Sequence, residues 1–450
     1  MVDSSSYPRV LVVGQPFNRC CGAGVTQSNL FEGWPRDRLA AAVVPGQVMD
    51  RDVCEHYVLG REESVWVWPL SLARRRITPL SGTDYHAPDC RRAQSHDSPS
   101  PAGSVARALY AGLDLLGIRD ELLSLRMSAP LRAWIRGFAP DVVYARPYDL
   151  PTLSLVDQIS NEFGYPLVLH IMDDWPSSLY RHGVLRGIVR SHMERTLQSL
   201  IGRAGSLLAI GDAMAAEYET RYGRIFLPVH NPVDLQRWDA LAETCGDERD
   251  RQPNDCLRVV YTGKVDSDTA GSILDVAEVI SDMSSHGRRI SLQVNTPDMG
   301  FPAVTRIAAC RGVVVTPAGE YCRVPGLMQA ADVLLLPLDF DEQSLRRTRL
   351  SMLTKVSEYL ASGRPVLTYA PRGSAVAEYA RTQGWSLLVD ERDPGAVRRA
   401  LDLLIEDDAL RREMGSRARK CAAERHDAGR VRAQFKAALV SGATGAQGRS

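Results

Sequence analysis

The chain has 450 residues, of which 44% are hydrophobic and 24% are charged, so it is long enough for two separately packed cores. Its 54 basic side chains balance 54 acidic ones, which argues against a nucleic acid partner. The first residues lack the basic and then apolar order of a signal peptide, and no apolar run approaches bilayer-spanning length. These features predict a cytoplasmic protein of two domains.

Short apolar runs alternate along the chain with longer segments of helical periodicity, which is typical of parallel β-α units. The first series of predicted strands comprises Val10–Val13, Ala40–Val44, Val65–Trp68, Val142–Tyr144, Leu167–Leu169, Leu207–Ile210 and Ile225–Val229. The second series comprises Arg258–Tyr261, Ser291–Val294, Val313–Thr316, Val333–Leu336, Val366–Tyr369 and Ser386–Val389. The fold class predicted is α/β, with two Rossmann-like, doubly wound domains.

Polar and aperiodic stretches mark the expected boundaries of these domains. We predict an N-terminal domain over residues 8–235 and a C-terminal domain over residues 256–424. A helix over residues 425–441 is expected to pack back on the N-terminal domain, and residues 442–450 to form a disordered tail. Arg74–Gly103 is rich in Arg, Ser, Pro and His, so we expect a mobile surface excursion there.

The loop after the first strand is rich in small residues. Gly22 and Gly24 occur in it, and glycine lets backbone amides approach a phosphate or a sugar closely. The dinucleotide fingerprint G-x-G-x-x-G fails at Gln27, so a nicotinamide cofactor is not indicated. The alternative is a loop that needs glycine only for its turn.

A cluster of ionisable residues follows the strand that ends near His170. Asp173 and Asp174 come shortly after it, and ligands bind at the carboxyl ends of the strands in open α/β sheets. His170 could hydrogen-bond a sugar hydroxyl or a departing phosphate, and either aspartate could orient an acceptor hydroxyl. These three residues are the candidate catalytic groups, although a single histidine is often structural.

Two lysines are candidate ligands for a diphosphate. Lys264 lies just past the first strand of the second series, and a solvated surface lysine is the alternative there. Lys355 lies near the start of a predicted helix for which Ser351 is a plausible N-cap and Gly363 a plausible end. A helix start attracts phosphate, so Ser351 and Lys355 predict a phosphate site.

Glu358 lies three positions after Lys355, so both side chains can project from the same side of the helix. A carboxylate there could bind the two adjacent hydroxyls of a ribose. Together the lysines and the glutamate predict a pocket for a nucleoside diphosphate.

Metal ligands are not indicated. The nine cysteines show no C-x-x-C pairing and no histidine at metal-ligand spacing, so they predict reduced thiols. Two D-x-D triplets, Asp266–Asp268 and Asp339–Asp341, could in principle hold a metal that bridges a diphosphate. Such triplets are expected by chance in a chain of this length, and we predict neither a metal nor a permanently bound cofactor.

Taken together, these segments resemble the GT-B glycosyltransferases, specifically the large family-4-like group that uses nucleotide sugars. The stretch from Glu358 to Val366 resembles the signature E-x-x-A-x-G-x-P-V. Supporting segments are Gly22–Val25, Asn231–Asp234, Ala331–Pro337, Asp393–Pro394 and Leu410–Arg419. The resemblance covers nearly the whole chain and implies two domains that face each other across a cleft.

The resemblance also implies roles for single residues. Glu358 would bind the donor ribose, Lys264 the donor pyrophosphate, Gly24 the phosphate or acceptor side, and His170 the transferred sugar. The family often has a second glutamate eight positions before the one at Glu358, and Leu350 stands there in this chain. The implied reaction is metal-independent transfer, with retention of configuration, from a nucleoside-diphosphate sugar to an acceptor hydroxyl.

Three other functions stay open from the sequence alone. A sugar-nucleotide epimerase could use the same fold, a nicotinamide oxidoreductase is disfavoured by the failed fingerprint, and Leu350 is compatible with a non-catalytic binding or partner subunit. The acceptor could be a glycan, a lipid-linked molecule or a small molecule. Apolar and basic residues in Leu122–Arg136 are compatible with peripheral contact at the inner membrane face, with packing inside the domain as the alternative.

Overall fold

The structure is a computed structural model that describes residues 7–19, 22–66, 80–83, 123–244, 256–319 and 321–445. The chain divides into two compact units. The first contains the residues up to Val229 together with those from Arg432 onward, and the second is His230–Val431. Each unit is built around its own parallel sheet.

The sheet of the first unit has seven parallel strands in the order β3-β2-β1-β6-β7-β8-β9. The strands are β1 Val10–Gly14, β2 Leu39–Val43, β3 Glu55–Val58, β6 Val142–Ala145, β7 Leu167–Ile171, β8 Ser206–Ala209 and β9 Leu227–Pro228. A separate antiparallel pair is formed by β4 Ser64–Trp66 and β5 Leu123–Leu125. The central strands are buried on both faces, which explains their nearly continuous apolar sequence.

Helices cover this sheet. They are α1 Gly22–Leu30, α2 Ala129–Phe138, α3 Leu150–Phe163, α4 Trp175–Ser178, α5 Arg186–Arg203 and α6 Asp212–Tyr222. Helix α2 begins at the N-cap Ser128, whose side chain accepts a hydrogen bond from the Leu131 amide. Leu131 and Ile135 on this helix are fully buried, and the indole N–H of Trp134 donates to Glu55 over 2.7 Å. The apolar face predicted for possible membrane contact is therefore packed inside its own domain, and Leu122 lies outside the described residues.

The last helix of the chain, α16 Ala428–Gly445, adds to the first unit from Arg432 onward. The Phe435 ring lies 4.9 Å from that of Phe31, and the Ser206 hydroxyl donates to the Ala438 carbonyl over 3.0 Å. The helix continues to Gly445, so the disordered tail predicted from residue 442 is wrong for its first four residues. Residues 446–450 lie outside the described chain.

The sheet of the second unit has six parallel strands in the order β12-β11-β10-β13-β14-β15. The strands are β10 Leu257–Thr262, β11 Ile290–Thr296, β12 Val313–Pro317, β13 Val333–Pro337, β14 Val366–Tyr369 and β15 Ser386–Val389. The central strand β10 pairs with β11 on one side and β13 on the other, so its carboxyl end lies where the strand order reverses. Ligands bind at such a point in open α/β sheets.

The remaining helices belong to the second unit, together with a π-helical turn at Ala422–His426. They are α7 Leu235–Thr244, α8 Ala270–Ser285, α9 Pro302–Ala308, α10 Val324–Gln329, α11 Glu342–Thr348, α12 Thr354–Ser362, α13 Ala375–Gln383, α14 Pro394–Glu406 and α15 Asp408–Cys421. Across the described ranges of both units, no helix is long and apolar enough to cross a membrane.

The predicted alternation of strands and helices is confirmed, and all six strands of the second series occur within two residues of their predicted bounds. In the first series one predicted strand is misplaced, because Val65–Trp68 was expected in the main sheet, and the strands β3 and β5 were not predicted. The described part of Val65–Trp68 belongs to the antiparallel pair instead, and the edge position of the main sheet is taken by the unpredicted strand β3. Most of the predicted excursion Arg74–Gly103 lies outside the described residues.

Candidate functional site

The strongest candidate site lies at the carboxyl end of β10 in the second unit. The chain turns there at Gly263, whose φ of +140° is available to glycine and rarely to other residues. The Gly263 amide donates to the Asn295 carbonyl over 3.0 Å, which ties the turn to the end of β11. This turn leaves an opening beside β10 that another side chain enters.

That side chain is Lys355 from helix α12. Its ε-ammonium donates to the Tyr261 hydroxyl over 2.8 Å and lies 4.2 Å from the centre of the Tyr261 ring, in the geometry of a cation–π contact. A Cβ atom at residue 263 would lie 2.6 Å from the Lys355 nitrogen. Gly263 is therefore required for the lysine to occupy this position.

The Tyr261 hydroxyl fixes the turn as well as the lysine. It donates to the Lys264 carbonyl, and the Thr269 hydroxyl donates to the same carbonyl over 3.1 Å. Since the hydroxyl also accepts from Lys355, both of its hydrogen-bonding directions are used. The ammonium is held by a partner that is itself fixed.

Burial lowers the pKa of Lys355 to about 8, because the charged form loses hydration. The nearby carboxylates of Asp266 and Glu358 act in the opposite direction, since each favours the ammonium form. The lysine is therefore mainly charged at neutral pH, in surroundings that disfavour this charge. A dianionic ligand would relieve that cost.

Helix α12 presents Lys355 in its first turn and Glu358 one turn later. Glu358 is largely buried, with 9% of its surface exposed, and the hydroxyl of its neighbour Tyr359 accepts a hydrogen bond from the Thr262 amide over 3.2 Å. The helix is thus attached to the end of β10. It ends at Gly363 with φ +64°, as predicted.

The predicted helix start is wrong. Helix α12 begins at Thr354, after the N-cap Leu353, which makes no side-chain cap. Ser351 is buried before the helix, and its hydroxyl donates to the Arg347 carbonyl over 3.2 Å. The later start brings Lys355 closer to the positive end of the helix dipole. That Ser351 contacts the nucleotide stays a prediction. The burial of Ser351 argues against it.

The segment before α12 is fixed by other residues of the same unit. The Asn231 side chain donates to the Met352 carbonyl over 3.1 Å, which gives a physical reason for asparagine in the segment Asn231–Asp234. Leu350, at the position of the family's first glutamate, is 5% exposed. An apolar side chain therefore packs where a carboxylate was expected.

The remaining basic residues near this site differ in their surroundings. Lys264 is exposed, while the Arg347 guanidinium pairs with Asp268. Of the two predicted lysines, Lys355 is thus the one held in a defined position by contacts in the described chain. The phosphate role of Lys264 stays a prediction.

The two D-x-D triplets are largely occupied by protein contacts. Asp339 accepts hydrogen bonds from the Gly271 and Ser272 amides at the start of α8, and Asp341 caps α11. Asp266 accepts from the amide of Asp268 over 3.0 Å. Among the described residues, no cluster of three or more His, Cys, Asp or Glu side chains could hold a metal ion.

The predicted catalytic residues lie in the first unit. His170 is in strand β7 with no exposed surface, and one ring nitrogen lies 2.8 Å from the Tyr144 hydroxyl. Burial, with a smaller contribution from the charge of Arg146, lowers the His170 pKa to about 3. The ring is therefore neutral at pH 7 and enclosed. Its catalytic role stays a prediction, which this position does not favour.

The two aspartates after β7 differ in their surroundings. Asp173 is exposed, whereas Asp174 is 1% exposed and accepts hydrogen bonds from the Tyr218 hydroxyl over 2.8 Å and from Arg221 over 3.0 Å. Asp174 thus belongs to a partly buried ion pair with Arg221 that ties the start of α4 to α6. A catalytic role is more compatible with the accessible Asp173, and for both aspartates that role stays a prediction.

The glycines of the first loop are at the start of helix α1. The helix begins at Gly22, and a Cβ atom at residue 24 would lie 2.1 Å from the Asn18 side-chain nitrogen. Asn18 is buried and donates to the Val48 carbonyl over 3.2 Å. Close packing of Asn18 is thus sufficient to require Gly24, and ligand binding by Gly22 and Gly24 stays a prediction.

Sequence reasoning missed Tyr261, which organises the site. The available signal was a tyrosine two positions before Gly263 at the end of a buried strand. It could not be interpreted without knowing that a lysine 94 positions later reaches its hydroxyl.

No protein-family profile matches the chain, and no curated protein matches it. Solved structures do match. Anabaena HepE in complex with UDP and glucose is 14% identical, with a TM-score of 0.61 over 97% of this chain and 100% of that chain. Sucrose-phosphate synthase from Thermosynechococcus elongatus is 11% identical, with a TM-score of 0.61 over 95% and 97% of the two chains.

A third similar structure is WaaG, described as a glycosyltransferase involved in lipopolysaccharide biosynthesis. It is 13% identical, with a TM-score of 0.57 over 96% of this chain and 99% of that chain. At such low identity the likeness establishes the fold. The chain therefore has the GT-B fold of nucleotide-sugar glycosyltransferases, with two Rossmann-like domains.

Proposed function

We propose that this protein is a glycosyltransferase that moves a sugar from a nucleoside-diphosphate sugar to an acceptor hydroxyl. The observation that carries the proposal is the partly buried ammonium of Lys355, held by Tyr261 at the end of β10 with Glu358 one helical turn away. A cation at a helix start matches a diphosphate, and a nearby carboxylate matches the hydroxyls of a ribose. UDP-sugars are the first donors to test, since HepE was solved with UDP and glucose.

In this proposal the main work of the protein is to stabilise negative charge on the departing diphosphate. Lys355 supplies the compensating positive charge from its partly buried position, and the exposed Lys264 is the second cation. Transfer proceeds without a metal and with retention of configuration, and the departing phosphate helps to take the proton of the acceptor hydroxyl on the same face. The N-terminal domain is the proposed acceptor side, where Asp173 is the accessible carboxylate.

The test combines a binding screen with a turnover assay. Thermal shift against a panel of nucleoside diphosphates should show a selective rise with one base. The matching nucleotide sugars, incubated with candidate acceptor glycans in the presence of EDTA, should then give a glycosylated acceptor whose anomeric configuration equals that of the donor. Release of diphosphate only after addition of a divalent metal would overturn the metal-independent mechanism.

Two results would favour the other functions. Free nucleotide with a rearranged sugar and no need for an acceptor would indicate the epimerase. Nucleotide binding without turnover of any donor would favour the non-catalytic subunit, for which the buried Leu350 is the structural argument.

A further inference from the structure

One exposed apolar and basic segment of the first unit is not used in the reaction proposed above. The segment Arg181–Ile188 comprises the end of the connection between α4 and α5 and the first three residues of α5, and seven of its eight residues are exposed. Val184 is 78% exposed, Ile188 65% and Leu185 40%. Single exposed apolar residues are common, but three within five positions form a patch.

The segment is held in this exposed arrangement by specific contacts. Tyr180 at its base has φ +53°, an unfavourable conformation for a residue with a side chain, and its hydroxyl accepts a hydrogen bond from the Leu150 amide over 3.0 Å. The Arg190 guanidinium donates to the Leu179 carbonyl over 3.0 Å. Arg181 donates to the Ser177 carbonyl over 2.7 Å. The apolar side chains therefore project from a supported loop.

The ionisable side chains of the segment itself are all basic, while the acidic residues Asp174 and Glu194 flank it along the chain. Residues 175–193 contain Arg181, His182, Arg186, Arg190 and His192 and no acidic residue. Arg186, between the exposed Leu185 and Ile188, is itself exposed and has no side-chain hydrogen bond or ion pair within the described ranges. A partner that fits this surface presents negative charge above an apolar layer.

We propose that Arg181–Ile188 is a docking surface for a membrane leaflet containing anionic lipids. Val184, Leu185 and Ile188 insert below the headgroups while Arg181 and Arg186 contact lipid phosphates. A second copy of this chain fits less well, because a two-fold contact would bring like charges together. Three apolar side chains also cover far less than the roughly 800 Å² per partner of a standard protein interface.

The test is vesicle co-sedimentation of the full chain, without nucleotide, so that it is independent of the proposed function. The protein should bind vesicles of phosphatidylcholine mixed with phosphatidylglycerol, bind pure phosphatidylcholine weakly, and dissociate at high salt. The triple variant Val184→Ser, Leu185→Ser, Ile188→Ser should reduce partitioning by about tenfold or more. Arg186→Glu should reduce it by at least roughly fivefold.

Matched controls change equally exposed residues elsewhere. The triple variant Ile225→Ser, Val314→Ser, Leu403→Ser removes three exposed apolar side chains, and Arg412→Glu reverses an exposed charge. Both should partition like the unmodified protein, and all variants should keep its melting temperature. Absence of binding to anionic vesicles, or equal binding by the segment variants, would overturn the proposal. Concentration-dependent dimers dissociated by the segment triple variant would assign the surface to a second copy instead.

Discussion

A methyl group on residue 263 would lie 2.6 Å from the ε-ammonium nitrogen of Lys355, so the absence of a side chain at Gly263 is what admits this lysine to the end of β10. The φ of +140° at Gly263 gives a second, independent reason for glycine. The two reasons predict different consequences of substitution. Backbone strain affects stability, whereas displacement of Lys355 affects ligand binding.

Gly263→Ala should therefore weaken UDP binding by about tenfold or more while leaving the weaker binding of uridine nearly unchanged. We expect this because the displaced ammonium no longer meets the diphosphate, a charge-assisted contact of about 1.5–3 kcal/mol. Isothermal titration calorimetry with both ligands measures the difference. Gly82→Ala is the control, since Gly82 has φ +124° and open space where a methyl group would lie, and it should lower stability without this selectivity.

Lys355→Met tests whether the buried charge of Lys355 lowers the stability of the folded protein while it increases the affinity for UDP. Methionine keeps an unbranched side chain without charge, and the Tyr261 hydroxyl retains the Lys264 carbonyl as a partner. Because burial lowers the lysine pKa from 10.5 to about 8, removing the charge should raise the free energy of unfolding at pH 7 by roughly 1–3 kcal/mol. Affinity for UDP should fall at least tenfold. Denaturant unfolding and calorimetry check the two effects, and a variant that is less stable yet binds UDP normally would refute the role of Lys355.

The pH dependence of binding follows from the same pKa. In the ligand-free protein Lys355 is mostly protonated below about pH 8. UDP affinity should therefore change little between about pH 6.5 and 7.5, a range centred about one pH unit below the pKa of Lys355. Above pH 8 each binding event requires uptake of a proton, and affinity should fall by up to about tenfold per pH unit. Uridine binding and the Lys355→Met variant should show no such slope. A flat profile for UDP through pH 9.5, about 1.5 units above the pKa, would contradict the assignment.

The folding stability should change in the opposite direction. The pKa of Lys355 is lower in the folded protein than its ordinary value of 10.5, so the unfolded chain binds more protons between about pH 8 and 10.5. This residue therefore makes the folded state more stable as the pH rises through that window. The stability advantage of Lys355→Met over the unmodified protein should shrink accordingly, which unfolding curves at pH 7 and pH 10 can compare.

Much of this site could be predicted from the sequence because its parts are local. Gly363 ends α12 as expected, since a left-handed C-terminal residue before a proline is a short-range signal. The buried strands of the second sheet were equally visible as apolar runs. The start of α12 was not, because Ser351 bonds the Arg347 carbonyl and the helix begins only after the extended Leu353. The Ser351 hydroxyl could either cap a helix or bond the Arg347 carbonyl, and in the structure it bonds the carbonyl.

Contacts between distant residues could not be predicted. The sequence indicated both Lys264 and Lys355 as cations for a diphosphate. It did not indicate that Lys264 is exposed or that Lys355 packs against Tyr261. The edge strand β3 was missed because Glu55–Val58 is short and half polar. Its place in the sheet follows from pairing with β2. Strand position and side-chain burial depend on tertiary packing, which periodicity alone does not specify.

Glu358→Ala should lower kcat/KM for the preferred nucleotide sugar by about ten- to a hundredfold, if its carboxylate binds the ribose. The ribose contact has a more specific signature than rate alone. The unmodified protein should prefer UDP over 2′-deoxy- and 3′-deoxy-UDP, and Glu358→Ala should lose most of this preference. Glu413→Ala, on an exposed helix surface, is the control and should behave like the unmodified protein. An unchanged preference in Glu358→Ala would exclude the ribose contact.

Asp174→Asn separates a structural role from a catalytic one in the first unit. The carboxylate is 1% exposed and accepts from both Tyr218 and Arg221, so its neutralisation should lower the free energy of unfolding by roughly 1–3 kcal/mol. Arg221 also pairs with Glu217, so its charge would still have a partner in Asp174→Asn. The loss of stability should therefore be smaller than for a charge left without any partner. UDP affinity should stay within about twofold of the unmodified protein's. The oxygens of Asp174 already accept hydrogen bonds from Tyr218 and Arg221, so they have little capacity to bind a ligand.

Asp173→Asn is the matched control for that experiment, since the neighbouring carboxylate is exposed and its neutralisation should lower stability less than that of the buried Asp174. A double-mutant cycle of Asp174→Asn with Arg221→Gln should give a coupling of about 1–3 kcal/mol in urea unfolding. Loss of glycosyl transfer by Asp174→Asn at full stability would instead return this residue to the acceptor-orienting role predicted from the sequence. Loss of transfer by Asp173→Asn alone, at unchanged stability, would assign that role to the accessible neighbour.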